Sequence, residues 1–306
     1  MYKVEVGKII AYLAPHFDVE VIGPPEGFEI IKPVALSSLA TGTVSFNSTD
    51  YISNSMCLIP NAVLICSRSA EIEGSDSVKT TLLRVDNPRL AFGKLVNCFF
   101  VPQPEAGVHT TSIVDRSSII GNNVSIGPNV VIGPNCQIGD SSVIGANVVL
   151  ERNITIGQNC RIGSGSNLGQ PGFGIEQEDD GTNYQLPHIG GVVLEDDVTI
   201  GSLCAIAGGT INPTYICKNV RIDDKVFIAH NVYVGAGSLI IASAEVSGSV
   251  HIGEGCWIGP NSSLMNKIRI GDRSLVGLGA VVTKSCIENV ILVGSPARVL
   301  KLRYQE

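Results

Sequence analysis

Residues 120–168 read IGNNVSIGPNVVIGPNCQIGDSSVIGANVVLERNITIGQNCRIGSGSNL. Steps of six from Ile120 land on Ile126, Ile132, Ile138, Ile144, Leu150, Ile156, Ile162 and Leu168, all aliphatic. All but Leu150 are followed by glycine. The series resumes at Leu194, Ile200 and Ile206, then runs from Ile216 to Val282, which makes 24 hexads. A period of six matches neither the 3.6-residue helix nor the two-residue strand repeat. It predicts a solenoid of short strands and turns, with three hexads to an 18-residue coil and about eight coils. The aliphatic side chains point inward. The glycine after each is expected to supply a positive φ or a close backbone approach.

Two stretches break the repeat. Gln170–His188 (QPGFGIEQEDDGTNYQLPH) is long, polar and glycine-rich and must leave the solenoid. Asn212–Tyr215 (NPTY) is shorter and reads as surface decoration. Cys136, Cys160, Cys204 and Cys256 each lie two residues before a repeat aliphatic, in a slot held elsewhere by Val124, Val130, Val148 and Ser166. They read as buried space-filling thiols, in preference to disulfides or zinc ligands. No Cys-x-x-Cys pair is present.

Residues 1–101 do not repeat. Gly7–Leu13 has the pattern of a short amphipathic helix, and VEVIG, ALSSLATGTVSFNS and AVLICS cluster strand formers. Asp86-Asn87-Pro88 is a helix start, with an expected apolar stripe of Leu90, Ala91, Leu95, Val96 and Phe99. The expected organisation is a small α/β domain over 1–101, a β-helix over 102–283 with the insertion at 170–188, and a short C-terminal tail over 284–306. The fold class is mainly β.

The net charge of −7 disfavours a nucleic-acid role, which needs a basic face. No run of 18 apolar residues exists, so no membrane span is expected. The start, MYKVEVGKII, has no secretory pattern, so a cytoplasmic location is expected.

A histidine best matches proton transfer near neutral pH. His230, in IAHNVYVG, follows an inward isoleucine by two positions. One coil on stands Gly248, in VSGSV, whose N–H could face an oxyanion. A base and an oxyanion donor on adjacent coils suit acyl transfer to an amine. His188, at the end of the long insertion, could orient a substrate or the base, or have no role. His16, His109 and His251 have no supporting context, and Cys217 reads as packing.

The order VSFNSTDY, LAFGKL, a hexapeptide helix interrupted by GFG…LPHIGG, then IDDKVFIAHNV and AEVSGSVHIG resembles the UDP-3-O-(3-hydroxyacyl)glucosamine N-acyltransferases of lipid A synthesis, over roughly residues 3–296. The resemblance implies a left-handed winding, a homotrimer, His230 as general base and Gly248 as oxyanion donor. It implies a uridine-binding N-terminal domain that stacks the base on Phe46 and Tyr51, with Asn47 beside them; both aromatics as plain core residues is the equal alternative. Asn231 and Lys267 are further candidate substrate contacts. No bound cofactor is implied; the acyl group arrives as a thioester of acyl carrier protein or CoA. Ala207-Gly208-Gly209 stands where the family has Asp-Arg-Gly, and Lys267 where it has histidine. These departures keep a second reading open, an N-acyltransferase of a surface-polysaccharide nucleotide sugar that uses a short acyl-CoA. A non-catalytic solenoid binding protein is the alternative of another class.

Overall fold

A computed structural model describes residues 3–74 and 78–303. The chain divides into two compact units, Met1–Gln103 and Pro104–Glu306.

The first unit is built on a five-stranded sheet in the order Glu20–Ile22, Thr81–Val85, Val63–Ser67, Thr43–Asn47, Lys32–Pro33. Alternation along Val63–Ser67 divides its side chains between two cores. Val63 and Ile65 pack with Val6, Ile9 and Leu13 of the helix Val6–Leu13 and with Ala91 and Leu95 of the helix Pro88–Phe99. Leu64 and Cys66 face the other way, toward Ile52, Cys57 and Leu82. Asn87 caps the second helix by accepting the Leu90 N–H at 3.0 Å, with Pro88 in its first turn. The expected stripe on that helix needs one correction. Leu90 is exposed, because the inward face is set by Ala91 and Leu95 four residues apart, and Phe92 shares that side. The sheet also contains Thr81–Val85, which the sequence reading passed over.

The second unit is a parallel β-helix of two- and three-residue strands, apart from two longer strands at its C-terminal end. Its three sheets have 11, nine and eight strands. Ile126 pairs with Ile144 and Ile144 with Ile162, so each coil advances by the expected period. From Ile126 onward the repeat aliphatics form one continuous buried column. The helix begins at Gly107, which pairs with Ser125, ahead of the first periodic aliphatic.

Corner chemistry divides the two roles expected of the glycines. The glycine after an aliphatic serves close approach, with Gly169 at φ 92° the one that also takes a positive φ: a Cβ on Gly139 would sit 2.6 Å from the Gly157 carbonyl carbon one coil on. Positive φ falls two residues later, at Asn123, Asn129, Asn135, Asn147, Asn153 and their successors. Asparagine tolerates this left-handed conformation better than most residues. Its amide also bridges coils, as Asn129 Nδ2 does to Asn147 Oδ1 at 3.3 Å.

The cysteine slot carries a hydrogen bond as well as volume. The Cys136 thiol donates to the Glu151 carbonyl at 3.1 Å, as the Ser142 hydroxyl does to Gly157 at 2.9 Å. All four repeat cysteines are buried and unbridged.

The segment 170–188 carries its own exposed hairpin, Ile175–Gln177 against Asn183–Gln185, which pairs with no other strand. The tail is more than a turn and an extension. Val290–Gly294 adds in parallel to Leu275–Val276, and Ala297–Leu302 folds back antiparallel on it. Val290 and Leu292 thereby close the end of the core.

Candidate active site

The register that pairs Ile228 with Val246 puts His230 beside Gly248 at the following corner. A Cβ on Gly248 would lie 2.8 Å from His230 Nε2, so only glycine leaves room for this ring. Both residues line a cavity of about 440 Å³ with Gln170, Pro171, Phe173 and Phe227.

Two backbone amide donors stay open at this corner, as those of Ala146 and Ala236 do at other corners. At several corners the second residue after the aliphatic has an N–H with no ladder partner, which an aspartate on the next coil caps. Asp140 Oδ1 accepts from Asn122 N–H at 2.7 Å, Asp196 from Gln158 at 2.7 Å, and Asp272 from Glu254 at 3.0 Å. At His230 the capping position is Gly248, and at Gly248 it is Asn266. Neither the His230 nor the Gly248 N–H has an acceptor among the described residues. An uncapped donor beside an imidazole can bind a developing oxyanion.

His230 sits in a largely apolar wall. Burial pushes its pKa below the ordinary imidazole range, and the neighbouring His188 adds to the shift. The two rings meet edge to face at 4.9 Å. His188 Nδ1–H donates to the Leu186 carbonyl at 2.9 Å, which leaves Nε2 buried and without a hydrogen-bond partner among the described residues. The loop histidine thus packs on the His230 ring. Gly172 lies between them: its Cβ would be 2.6 Å from His188 Nε2 and 2.7 Å from His230 Cβ.

The Asn231 side chain is engaged within the corner. Its Oδ1 accepts Thr210 N–H at 2.8 Å, and its Nδ2 contacts Thr210 Oγ1 and His230 Nδ1, each at 3.0 Å. Thr210 and Thr214 are supports that the sequence reading missed. Both flank or lie in an insertion that carries no chemical motif, and only the fold brings them to this corner. Lys267 does not line the cavity; its N–H donates to the Gly248 carbonyl at 3.0 Å and its side chain is exposed.

In the first unit, Asn47 is buried and consumed locally. Its Oδ1 accepts Thr49 N–H at 2.8 Å and its Nδ2 donates to the Tyr51 carbonyl at 2.9 Å, contacts that form the turn. The half-buried Phe46 ring packs on Phe92 at 5.0 Å, against the core. Tyr51 is 51% exposed.

Stacked corners, two-residue strands and a coil period of 18 define a hexapeptide-repeat protein. Residues 117–152 and 249–284 match the bacterial transferase hexapeptide family (six repeats), and 153–177 match the hexapeptide repeat of succinyl-transferase. Within that class, stretches of the chain are similar to UDP-3-O-acylglucosamine N-acyltransferases. It is 36% identical over 115 residues to the one from Coxiella burnetii (37% of this chain, 34% of the relative). It is 30% identical over 140 residues to that of Campylobacter lari (45% and 44%). The matched stretch thus spans under half the length of either relative. Among solved structures, LpxA from Acinetobacter baumannii is 27% identical with a TM-score of 0.58, covering 64% of this chain and 74% of that one. The UDP-N-acetylglucosamine acyltransferase from Campylobacter jejuni, at 21% identity and TM-score 0.59, covers 64% and 75% and shares the fold. No helix among the described residues is long and apolar enough to cross a membrane.

Proposed function

We propose that this protein is an N-acyltransferase that moves an acyl group from a thioester to the amine of a nucleotide-linked amino sugar. The observation that carries the reading is the corner at which an uncapped Gly248 N–H stands against the His230 ring, inside a cavity. The kinship with UDP-3-O-acylglucosamine N-acyltransferases supplies the substrate class.

In this reading the amine nitrogen attacks the thioester carbonyl carbon. Gly248 N–H holds the oxygen as it becomes negative. His230 Nε2 takes the proton from the nitrogen as general base. The tetrahedral intermediate then collapses, the C–S bond breaks, and the imidazolium returns its proton to the leaving sulfur. The lowered pKa of His230 favours the neutral ring over the imidazolium, as a base requires. The N-terminal unit, residues 1–101, holds the nucleotide, with Tyr51 as its exposed aromatic. The working assembly is a homotrimer in the cytoplasm. The strand pair of residues 290–302 closes the end of the prism.

The test is acyl transfer from a panel of hydroxyacyl and acetyl thioesters, on acyl carrier protein and on CoA, to UDP- and dTDP-amino sugars. His230→Ala is expected to lose about 10²–10⁴-fold in rate. A wild-type rate unaffected by that change would refute the base role. Turnover with acyl carrier protein thioesters supports the lipid A step, and exclusive use of short acyl-CoA supports the surface-polysaccharide variant. No turnover with any donor supports a binding protein.

A further inference from the structure

The insertion at 212–215 shifts the register so that Ile206 pairs with Ile228, yet acyl transfer as described makes no use of it. It borders the corner that carries His230. Thr210, just before it, donates its N–H to Asn231 Oδ1 at 2.8 Å, and Thr214 Oγ1 accepts Asn231 N–H at 3.1 Å. A backbone N–H can only donate, so the Thr210 contact sets the orientation of the Asn231 amide: oxygen toward Thr210 N, nitrogen toward His230. That Nδ2 is 3.0 Å from His230 Nδ1. An amide nitrogen donates and does not accept, so Nδ1 must be the acceptor. The neutral ring then carries its proton on Nε2, the nitrogen beside Gly248.

We propose that Asn231, clamped by Thr210 and Thr214, is a positioning residue that holds neutral His230 in its Nε2–H tautomer, and that the ring becomes a base at Nε2 only when the Asn231 amide reverses. The kinetic half of this proposal rests on the acyl-transfer reading; the tautomer half does not. An Nε2 that already bears a proton has no lone pair for the amine proton. Reversal breaks the Thr210 N–H contact and presents Oδ1 to the ring, so the ring proton resides on Nδ1 after exchange with solvent. The Nε2 lone pair then accepts the proton from the amine. The resulting imidazolium has Asn231 Oδ1 as acceptor for Nδ1–H, and Nε2–H faces the leaving sulfur. The titratable groups around the ring are His188, from the loop, and Glu245, from the next coil, which lines the cavity. His188 cannot take over from Asn231, because its one ring N–H is engaged by the Leu186 carbonyl.

The experiment uses the full-length chain labelled with ¹⁵N-histidine. Two-bond proton–nitrogen correlation spectra report which ring nitrogen is protonated, and His230→Gln identifies the His230 signals. Wild-type His230 is expected as Nε2–H above its pKa. Asn231→Asp, whose carboxylate only accepts, is expected to move the proton to Nδ1. Asn231→Gly keeps the left-handed backbone at φ 59° and removes the amide, and is expected to give a mixture. A wild-type ring protonated on Nδ1, or a tautomer unmoved by Asn231→Asp, would overturn the assignment. With the same thioester panel, Asn231→Asp should shift the acidic limb of the rate profile to higher pH while keeping or raising the plateau. An acidic limb that stays in place would overturn the kinetic half. Tautomer changes as expected in a chain that transfers no acyl group would leave the assignment standing and sink the acyl-transfer reading instead.

Discussion

Gly248 is the residue on which the site turns. A Cβ there would press on His230 Nε2, and the ring would have to move. Gly248→Ala is expected to keep the fold and cost about 10²-fold or more in acyl transfer, the usual penalty for misplacing a reacting group by about an ångström. Circular dichroism and steady-state rates, measured together, check it; full activity would show the contact to be idle. Gly172 is held in the same way by His188 and His230. The protonation of His230 also has a definite sign. Its pKa is below its ordinary value of 6.5, so the unfolded chain binds this proton more readily than the native one. Stability therefore rises with pH through the window that ends near 6.5, and falls as acid drives the proton onto the buried ring. Wild type should lose more melting temperature between pH 7 and pH 5 than His230→Gln. An equal loss would mean that His230 does not contribute to the window.

The corner repeats along the second unit, and its physics sets what can be substituted. The φ of 57° at Asn147 should make Asn147→Ala cost roughly 1–2 kcal/mol, since a Cβ without a compensating polar side chain disfavours that region. Urea denaturation measures it, and a neutral result would contradict the strained-corner account. The cysteine slot should be forgiving in one direction. Cys160 donates to the Glu195 carbonyl at 3.1 Å, as serines in the same slot do one coil away. Burial pushes its thiol up to about 11. Cys160→Ser is expected to stay within about 1 kcal/mol of wild type. In the folded chain, thiol reagents should reach exposed Cys98 and leave the repeat cysteines untouched until denaturant is added. Modification of Cys160 in the native state would show that the coil opens. Along another sheet, Tyr215, Tyr233 and His251 stack in successive coils at 5.9 and 4.6 Å, which gives His251 a packing role that its sequence context did not suggest.

The solenoid is a stack in which each coil covers its neighbour, so its ends carry the exposed core. The strand pair of residues 290–302 covers one end through Val290 and Leu292. Removal of residues 284–306 should expose the column ending at Val282, lower the melting temperature and promote association. An unchanged melting temperature would show that the cap is dispensable. In the first unit, two cores on opposite faces of one sheet give the chain a second, separately packed body.

The hexad alone was enough to specify the β-helix, its period and the stacking of His230 on Gly248. A strict period fixes which side chains meet when every coil has the same length. The helix cap at Asn87 and the cysteine slot were legible for the same reason: each depends on neighbours at constant spacing. The support of His230 was not legible. Thr210 and Thr214 reach Asn231 across an insertion that breaks the period, and nothing in NPTY announces a hydrogen bond to a residue about 20 positions away. The packing of His188 against His230 likewise depends on how a 19-residue excursion returns to the prism. Repeats encode contacts locally, through register; the insertions encode them through the path of a loop, which only the folded chain decides.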